Sequence, residues 1–314
     1  MRILITGGFG FIGSSLVESL EKNGHEVFMT YRNPVKIKDA FKKSRINLIL
    51  WDENFDFLRN LQKIDCIIHL AGPSALECKI NPNNSIEFRK NSTSSLIKYA
   101  SQSNVVKFIY ISTSHVYSDP LVGIISEETA ARNNHPYSIS HLAGENAIQT
   151  SCSSNKIKKI ILRVSNLFGA PVHREINCWK LLINDLCKQA VQARKLTLKT
   201  DGSSQRNFLS MIEFCFKVEQ IIQSKVKPIE SGIYNLGSNE TMTVLDVAKI
   251  IQKRCLFLFG FEPEIFAPPS ESKQATEMLI YKNDKLQNFF SKNTKSSFIS
   301  EIDALLKYCK LEFA

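Results

Sequence analysis

The chain has 314 residues, of which 43% are hydrophobic and 22% charged, the composition of a globular protein with enough chain for one large or two modest domains. No apolar run approaches the ~20 residues of a membrane span, and the opening "MRILITGG" turns glycine-rich too soon for a secretory leader, so a cytoplasmic protein is expected. The formal charge of +10 is dispersed; it suits anionic small ligands or simple solubility, and without a basic run it argues against a nucleic-acid partner.

Apolar runs and helical patterns alternate through the first half. Strands are predicted at 2–6, 26–30, 46–50, 65–70, 106–112 and 157–163, with helices at 13–24, 86–103 and 137–152 between them. Continuous apolar strands separated by helices predict a parallel sheet covered on both faces, a doubly wound α/β domain. Beyond Gly169 the pattern reads as a loop, a helix over 177–193, and a strand–turn–strand stretch over 195–211. A helix over 211–224 and a short strand over 232–237 are expected to return to the main sheet, before a tail of helix, short strand, loop and helix. The expected organisation is a first domain of 1–168 with 207–237 returning, and a smaller α/β domain of 169–206 and 238–314. The eight cysteines (66, 78, 152, 178, 187, 215, 255 and 309) form no C-x-x-C pair and no zinc-spaced cluster, so reduced thiols and no metal are expected.

The stretch "ITGGFGFIG" follows the first strand and opens the first helix. Gly7, Gly10 and Gly13, with Phe11 and Ile12 between the last two, give G-x-x-G-x-x-G. This spacing allows a tight turn, close backbone approach to a pyrophosphate, and a helix N-terminus aimed at it. The second strand ends "FMTYRNP". Tyr31 and Arg32 stand where a carboxylate would hold the adenosine ribose of NAD, and a guanidinium there pairs with a 2′-phosphate, which favours NADP(H) over NAD. An arginine stacked on the adenine of NAD is the alternative. Asp52 is placed to accept from the adenine amino group, or is a solvated loop acid.

Pro136 in "HPYSISHLAGE" fits a first helical turn, and Tyr137 and His141 share one face of the helix that follows. "HLAG" (69–72), "ISTSHVYS" (111–118), "RVSNLFGA" (163–170), "DGSSQRNFLSM" (201–211) and "GIYNLGSNETMTVLDVAKII" join the glycine loop as motifs. Together they resemble the extended short-chain dehydrogenase/reductases, in particular the nucleotide-sugar epimerase, dehydratase and reductase group. The resemblance covers nearly the whole chain. It implies a Rossmann domain for NADP or NAD, a small C-terminal domain for a nucleotide-linked sugar, and a homodimer built on the helices 86–103 and 137–152. It places Leu70, Ala71, Gly72 and Val164 along the cofactor. It implies hydride transfer with Tyr137 as acid/base, Thr113 orienting the sugar oxygen, and Ser114, Asn166 and Arg206 on the substrate, the last gripping its pyrophosphate. His173 and Arg174 lie in a loop that could assist.

Two departures stand out. The family's Y-x-x-x-K lysine lowers the phenol pKa and binds the nicotinamide ribose; here the position is His141. Three readings stay open: a working substitute, an impaired site in a protein that mainly binds dinucleotide, or a histidine that packs while another group does the work. The second is Thr113-Ser114-His115, where sugar 4,6-dehydratases carry a carboxylate pair. Without that pair 4,6-dehydration is not expected. His115 either removes a proton alpha to a carbonyl, at the position where GDP-fucose synthases place a cysteine, or only hydrogen-bonds substrate or a loop. The reaction expected is 4-epimerisation or 4-ketoreduction.

Overall fold

A computed structural model describes the chain except residues 33–45, 53–54, 62, 152–156, 225–228, 270–277, 288 and 291–297. Cys152 and the end of the helix expected over 137–152 lie outside the described residues. The first half alternates β1 (Arg2–Thr6), α1 (Phe11–Lys22), β2 (Glu26–Tyr31), β3 (Asn47–Leu50), β4 (Cys66–His69), α2 (Ala75–Ile80), α3 (Pro82–Gln102) and β5 (Lys107–Thr113). There follow β6 (Gly123–Ile125), α4 (Pro136–Gln149), β7 (Lys158–Val164), β8 (Asn166–Phe168), α5 (Leu182–Ala193), β9 (Lys195–Thr197), β10 (Gln205–Ser210) and α6 (Met211–Gln223). The last part holds β11 (Gly232–Leu236), β12 (Thr241–Thr243), α7 (Val244–Phe259), β13 (Glu264–Phe266), β14 (Leu279–Tyr281), α8 (Asp284–Gln287) and α9 (Phe298–Phe313).

Seven strands form one sheet in the order β11-β7-β5-β4-β1-β2-β3, with β1 to β5 and β7 parallel. This is the doubly wound Rossmann arrangement, and the strand order reverses between β1 and β4. β4 and β5 are buried along their whole length, because helices cover both faces and each residue must pack rather than alternate. One face carries Leu4, Ile67, Phe108 and Ile161 against Leu96, Ile97 and Ala100 of α3 and Ile148 of α4.

The chain forms two compact units. The first is Met1–Val116, Ala131–Val164 and Val218–Tyr234; the second is Tyr117–Ala130, Ser165–Lys217 and Asn235–Ala314. Residues 117–130, placed in the first domain by the sequence reading, cluster with the second unit because β6 pairs with β14. Residues 207–217 do so because β10 pairs with β8 and β12. The second unit's core packs Leu186, Cys187 and Ala190 of α5 against Val247 and Ile251 of α7 and Ile302, Leu305 and Leu306 of α9.

In the first unit, Lys107 is buried at the start of β5. Its ammonium donates to the carbonyls of Ile221 at 2.8 Å and Ile222 at 2.6 Å and to the Ser224 hydroxyl at 3.2 Å. The cation thus answers the unpaired acceptors at the end of α6.

Candidate active site

The glycine loop takes the form its spacing predicts. Gly7 adopts φ +73°, and a Cβ there would lie 2.9 Å from the Ala71 nitrogen, so β1 and the end of β4 meet through a residue without a side chain. The Gly10 N–H donates to the Gly7 carbonyl at 3.0 Å. A Cβ on Gly13 would collide with that same carbonyl oxygen. α1 then starts after Gly10 with no side-chain cap and no acidic residue in its first turn. Phe11, Ile12 and Gly13 open this helix, and such an uncapped N-terminus favours an anion. Beneath the loop, Thr6 Oγ1 lies 2.6 Å from His69 Nδ1 and accepts from the Leu70 and Ala71 N–H groups at 3.3 Å.

Tyr31 ends β2, and Arg32 follows it, exposed. The Glu77 carboxyl of α2 is held below its usual range, first by the Ser74 N–H and hydroxyl and to a lesser degree by the charge of Arg32. Asp52 Oδ1 accepts from the Asp56 N–H at 2.8 Å, a turn-capping bond that occupies one of its oxygens. Val164 is buried at the end of β7.

β5 and α4 bring the proposed reacting groups together. Pro136 sits in the first turn of α4 and His135 caps it, its Nδ1 accepting from the Tyr137 N–H at 3.2 Å. One turn on, His141 presents its ring to the edge of Tyr137 at a centroid distance of 4.6 Å and an interplanar angle of 70°. Tyr137 is half-buried and His141 is buried. At the end of β5, Thr113 Oγ1 accepts from the His115 N–H at 3.2 Å. The His115 carbonyl accepts from the Ser138 hydroxyl at 2.9 Å and from Asn133 Nδ2 at 2.7 Å, which fixes the turn after β5 to the start of α4. Ser114 Oγ is buried without a partner among the described residues. Below, the Arg163 guanidinium forms a two-pronged ion pair with Glu145 at 3.1 and 2.6 Å, and Ser112 Oγ donates to the same carboxylate at 2.5 Å.

Electrostatics separates the two rings. Burial holds the His141 imidazole well below its ordinary value, and the charge of Arg89 pushes the same way. Burial thus favours the neutral imidazole near pH 7. Burial pushes the Tyr137 phenol up, with Arg89 opposing. Neither nitrogen of His141 has a hydrogen-bond partner among the described residues. A buried imidazole with both nitrogens free fits a ligand that brings hydroxyls to it, such as the ribose of a nicotinamide nucleotide.

Arg89 was not singled out from the sequence. It lies on α3, buried, and donates through Nε to Ser140 Oγ at 3.1 Å and through Nη2 to the Pro73 carbonyl at 3.1 Å. Its guanidinium carbon is 5.8 Å from the centre of the Tyr137 ring. A Cβ on Gly72 would strike the guanidinium. The available signal was helical periodicity: Arg89 shares the buried stripe of Ser92, Thr93, Leu96 and Ala100, and a charge on such a stripe needs a reason.

In the second unit, Asn166 Nδ2 donates to the Asn207 carbonyl at 2.9 Å, so its amide is partly committed to the backbone. Arg206 is exposed on β10, where it pairs in register with Met242. Among the described residues no group of three or more His, Cys, Asp or Glu side chains is placed to hold a metal, and no helix is long and apolar enough to cross a membrane.

Comparison with known proteins agrees with this architecture. Residues 3–237 match the model of the NAD dependent epimerase/dehydratase family. A dTDP-D-glucose 4,6-dehydratase from Mus musculus is 29% identical over 264 residues, covering 79% of this chain and 71% of that protein. One from Dictyostelium discoideum is 27% identical over 277 residues, and there the match spans 80% of this chain but only 61% of the relative. A UDP-glucuronic acid 4-epimerase from Bacillus cereus, solved with UDP-glucuronic acid and NAD, shares the fold at a TM-score of 0.80 and 24% identity, covering 99% of both chains.

Proposed function

Because the chain belongs to the NAD-dependent epimerase/dehydratase family, within the extended short-chain dehydrogenase/reductases, we propose that it interconverts nucleotide-activated sugars by 4-epimerisation or 4-ketoreduction. The observation that carries this reading is the half-buried Tyr137 phenol, edge-on to a neutral His141 whose ring nitrogens are both free for a ligand among the described residues. When bound, the nicotinamide accepts or delivers hydride. Tyr137 Oη takes the proton from the sugar hydroxyl or returns it to that oxygen. Thr113 Oγ1 orients the same oxygen. His141 binds the ribose, and the uncapped start of α1 takes the pyrophosphate. Arg206 is assigned to the diphosphate of the substrate, with Asn166 and Ser114 as further contacts. The charge of +10 suits such an anionic substrate. Ser114 and His115 replace the carboxylate pair that 4,6-dehydration requires, so water loss is not the expected reaction. His115 moves a proton alpha to a carbonyl only if its ring reaches substrate.

Arg32 favours NADP over NAD, since the end of β2 offers a guanidinium and no carboxylate. Titration with NADPH and NADH should show tighter binding of NADPH, and Arg32→Glu should reverse the order. The exposed apolar Ile139 on α4 supports a homodimer through α3 and α4, which light scattering of the purified protein would detect. The seven cysteines among the described residues are buried free thiols, in keeping with a reducing cytoplasm.

The decisive experiment offers the purified protein UDP-, dTDP- and GDP-sugars, with and without NADPH, and follows products by chromatography. Turnover that falls at least about 100-fold in Tyr137→Phe, with dinucleotide binding kept, is the expected result. Unchanged turnover in that variant overturns the assignment. Binding without turnover across the whole panel favours a dinucleotide-binding protein that is not an enzyme.

A further inference from the structure

We propose that Arg89 is the permanent cation of this site, holding the Tyr137 phenol in reach of ionisation in place of the ammonium that Tyr-x-x-x-His lacks. The proposal rests on the reading of Tyr137 as acid/base. Its geometric basis is independent of that reading. Arg89 is a buried guanidinium that donates to the Ser140 hydroxyl and the Pro73 carbonyl and also interacts with the Tyr110 hydroxyl, and no carboxylate forms an ion pair with it among the described residues. A buried charge without a counterion is costly, so its retention beside a phenol calls for a use. The surroundings are shaped to keep it there. Gly72 leaves the space its guanidinium fills. Ser140 anchors Nε from within α4, and donates in turn to the Tyr137 carbonyl at 2.8 Å.

The groups around the phenol come from five elements. Cys78 on α2 opposes its ionisation weakly, and its thiol lies 3.5 Å from Ser140 Oγ. His69 on β4 is pushed down to about 3 by burial and by Arg89, so it carries no charge near neutrality. Tyr110 on β5 is pushed up to about 12 by burial, so it stays protonated. His141 on α4 is neutral for the reason given above, and His115 adds to its depression. Among these groups Arg89, from α3, is the one that favours a phenolate. An opposite charge within ~4–6 Å lowers an acid's pKa by ~1–3 units. Burial works against this, and the bound nicotinamide, positive when oxidised, adds to the attraction.

The test is the ultraviolet titration of Tyr137 in the presence of NAD, taken as the difference between each protein and the same protein carrying Tyr137→Phe. Arg89→Met should raise the Tyr137 pKa by about one unit or more, and lower turnover near neutral pH about tenfold, moving the pH–rate profile by the same amount. Arg89→Lys keeps the charge and should stay near the parent in both readouts. Combining Arg89→Met with His141→Lys, which moves the cation from α3 to α4, should recover most of the loss. An unshifted titration in Arg89→Met overturns the proposal even if Tyr137→Phe is inactive. If Tyr137→Phe is fully active, the acid/base reading fails while the titration still reports on Arg89. Should Arg89→Met not fold, Arg89→Gln, which keeps a donor for Ser140 and removes the charge, is titrated in its place: the same rise in the Tyr137 pKa is expected, and an unshifted titration overturns the proposal.

Discussion

His141 meets the edge of the Tyr137 ring with 4.6 Å between ring centres, and burial keeps the imidazole of this pair uncharged. The consequence is measurable. The His141 ring should stay neutral around pH 7, so long-range nitrogen NMR should show no protonation of it near its ordinary value. The pH dependence of turnover should carry no inflection that disappears in His141→Gln. A titration near 6.5 assigned to His141 would contradict the neutral ring.

The glycine loop tolerates no side chain at its crossing. Gly13→Ala would press a methyl group into the Gly7 carbonyl oxygen, a backbone atom that cannot swing aside. The expected cost is about 1–3 kcal/mol of stability, with dinucleotide affinity reduced at least about tenfold because the helix start is displaced. Thermal unfolding and fluorescence titration with NADPH read the two effects separately.

The buried pair Arg163–Glu145 should dominate the charge contribution to the first unit. Glu145→Gln leaves the guanidinium buried with half its partner and should cost about 3–5 kcal/mol. Glu18→Gln, which removes the exposed partner of Lys22 on α1, should change stability by no more than about 0.5 kcal/mol. Urea unfolding monitored by circular dichroism compares them. Equal effects would mean that the buried pair is not held as described.

Glu301 on α9 gives the second unit a pH dependence of opposite sign to that of most carboxylates. Burial beside Gly169 and Met211 lifts its pKa from 4.5 to about 7, and Oε2 has no partner among the described residues. The folded state therefore holds a proton that the unfolded state has lost. Stability is fully present below the unfolded value and falls as pH rises through the folded one. Glu301→Gln should raise the melting temperature near pH 8, by up to about 3 kcal/mol of stability, and have little effect near pH 4. A melting temperature that responds equally at both pH values would refute the assignment.

The sheet was legible because its strands are buried on both faces and read as unbroken apolar runs: "RILIT" and "KFIYIST" stand out without any partner being known. The second unit was less so. β6, β8, β12 and β14 are three residues each, too short to show alternation, and only their pairing defines them. The helix expected over 177–193 begins at Leu182, since the Leu181 N–H closes a turn onto the Cys178 carbonyl first. The helix expected over 86–103 begins at Pro82, with α2 before it set by the Ser74–Glu77 capping box. Tyr137, His141 and Thr113 were read from motif spacing, which local sequence carries. Arg89 was not, because its relation to Tyr137 exists only once α3 and α4 pack together.

Gly72 and Arg89 occupy one volume: whatever side chain appears at the first must be subtracted from the space of the second. A methyl at residue 72 would force the guanidinium at residue 89 to swing aside or its side chain to shorten, so the present placement of the arginine depends on a bare residue 72. In descendants of this sequence the two substitutions should travel as a linked pair, and a lineage that acquires the lysine at residue 141 should be the one released from that linkage.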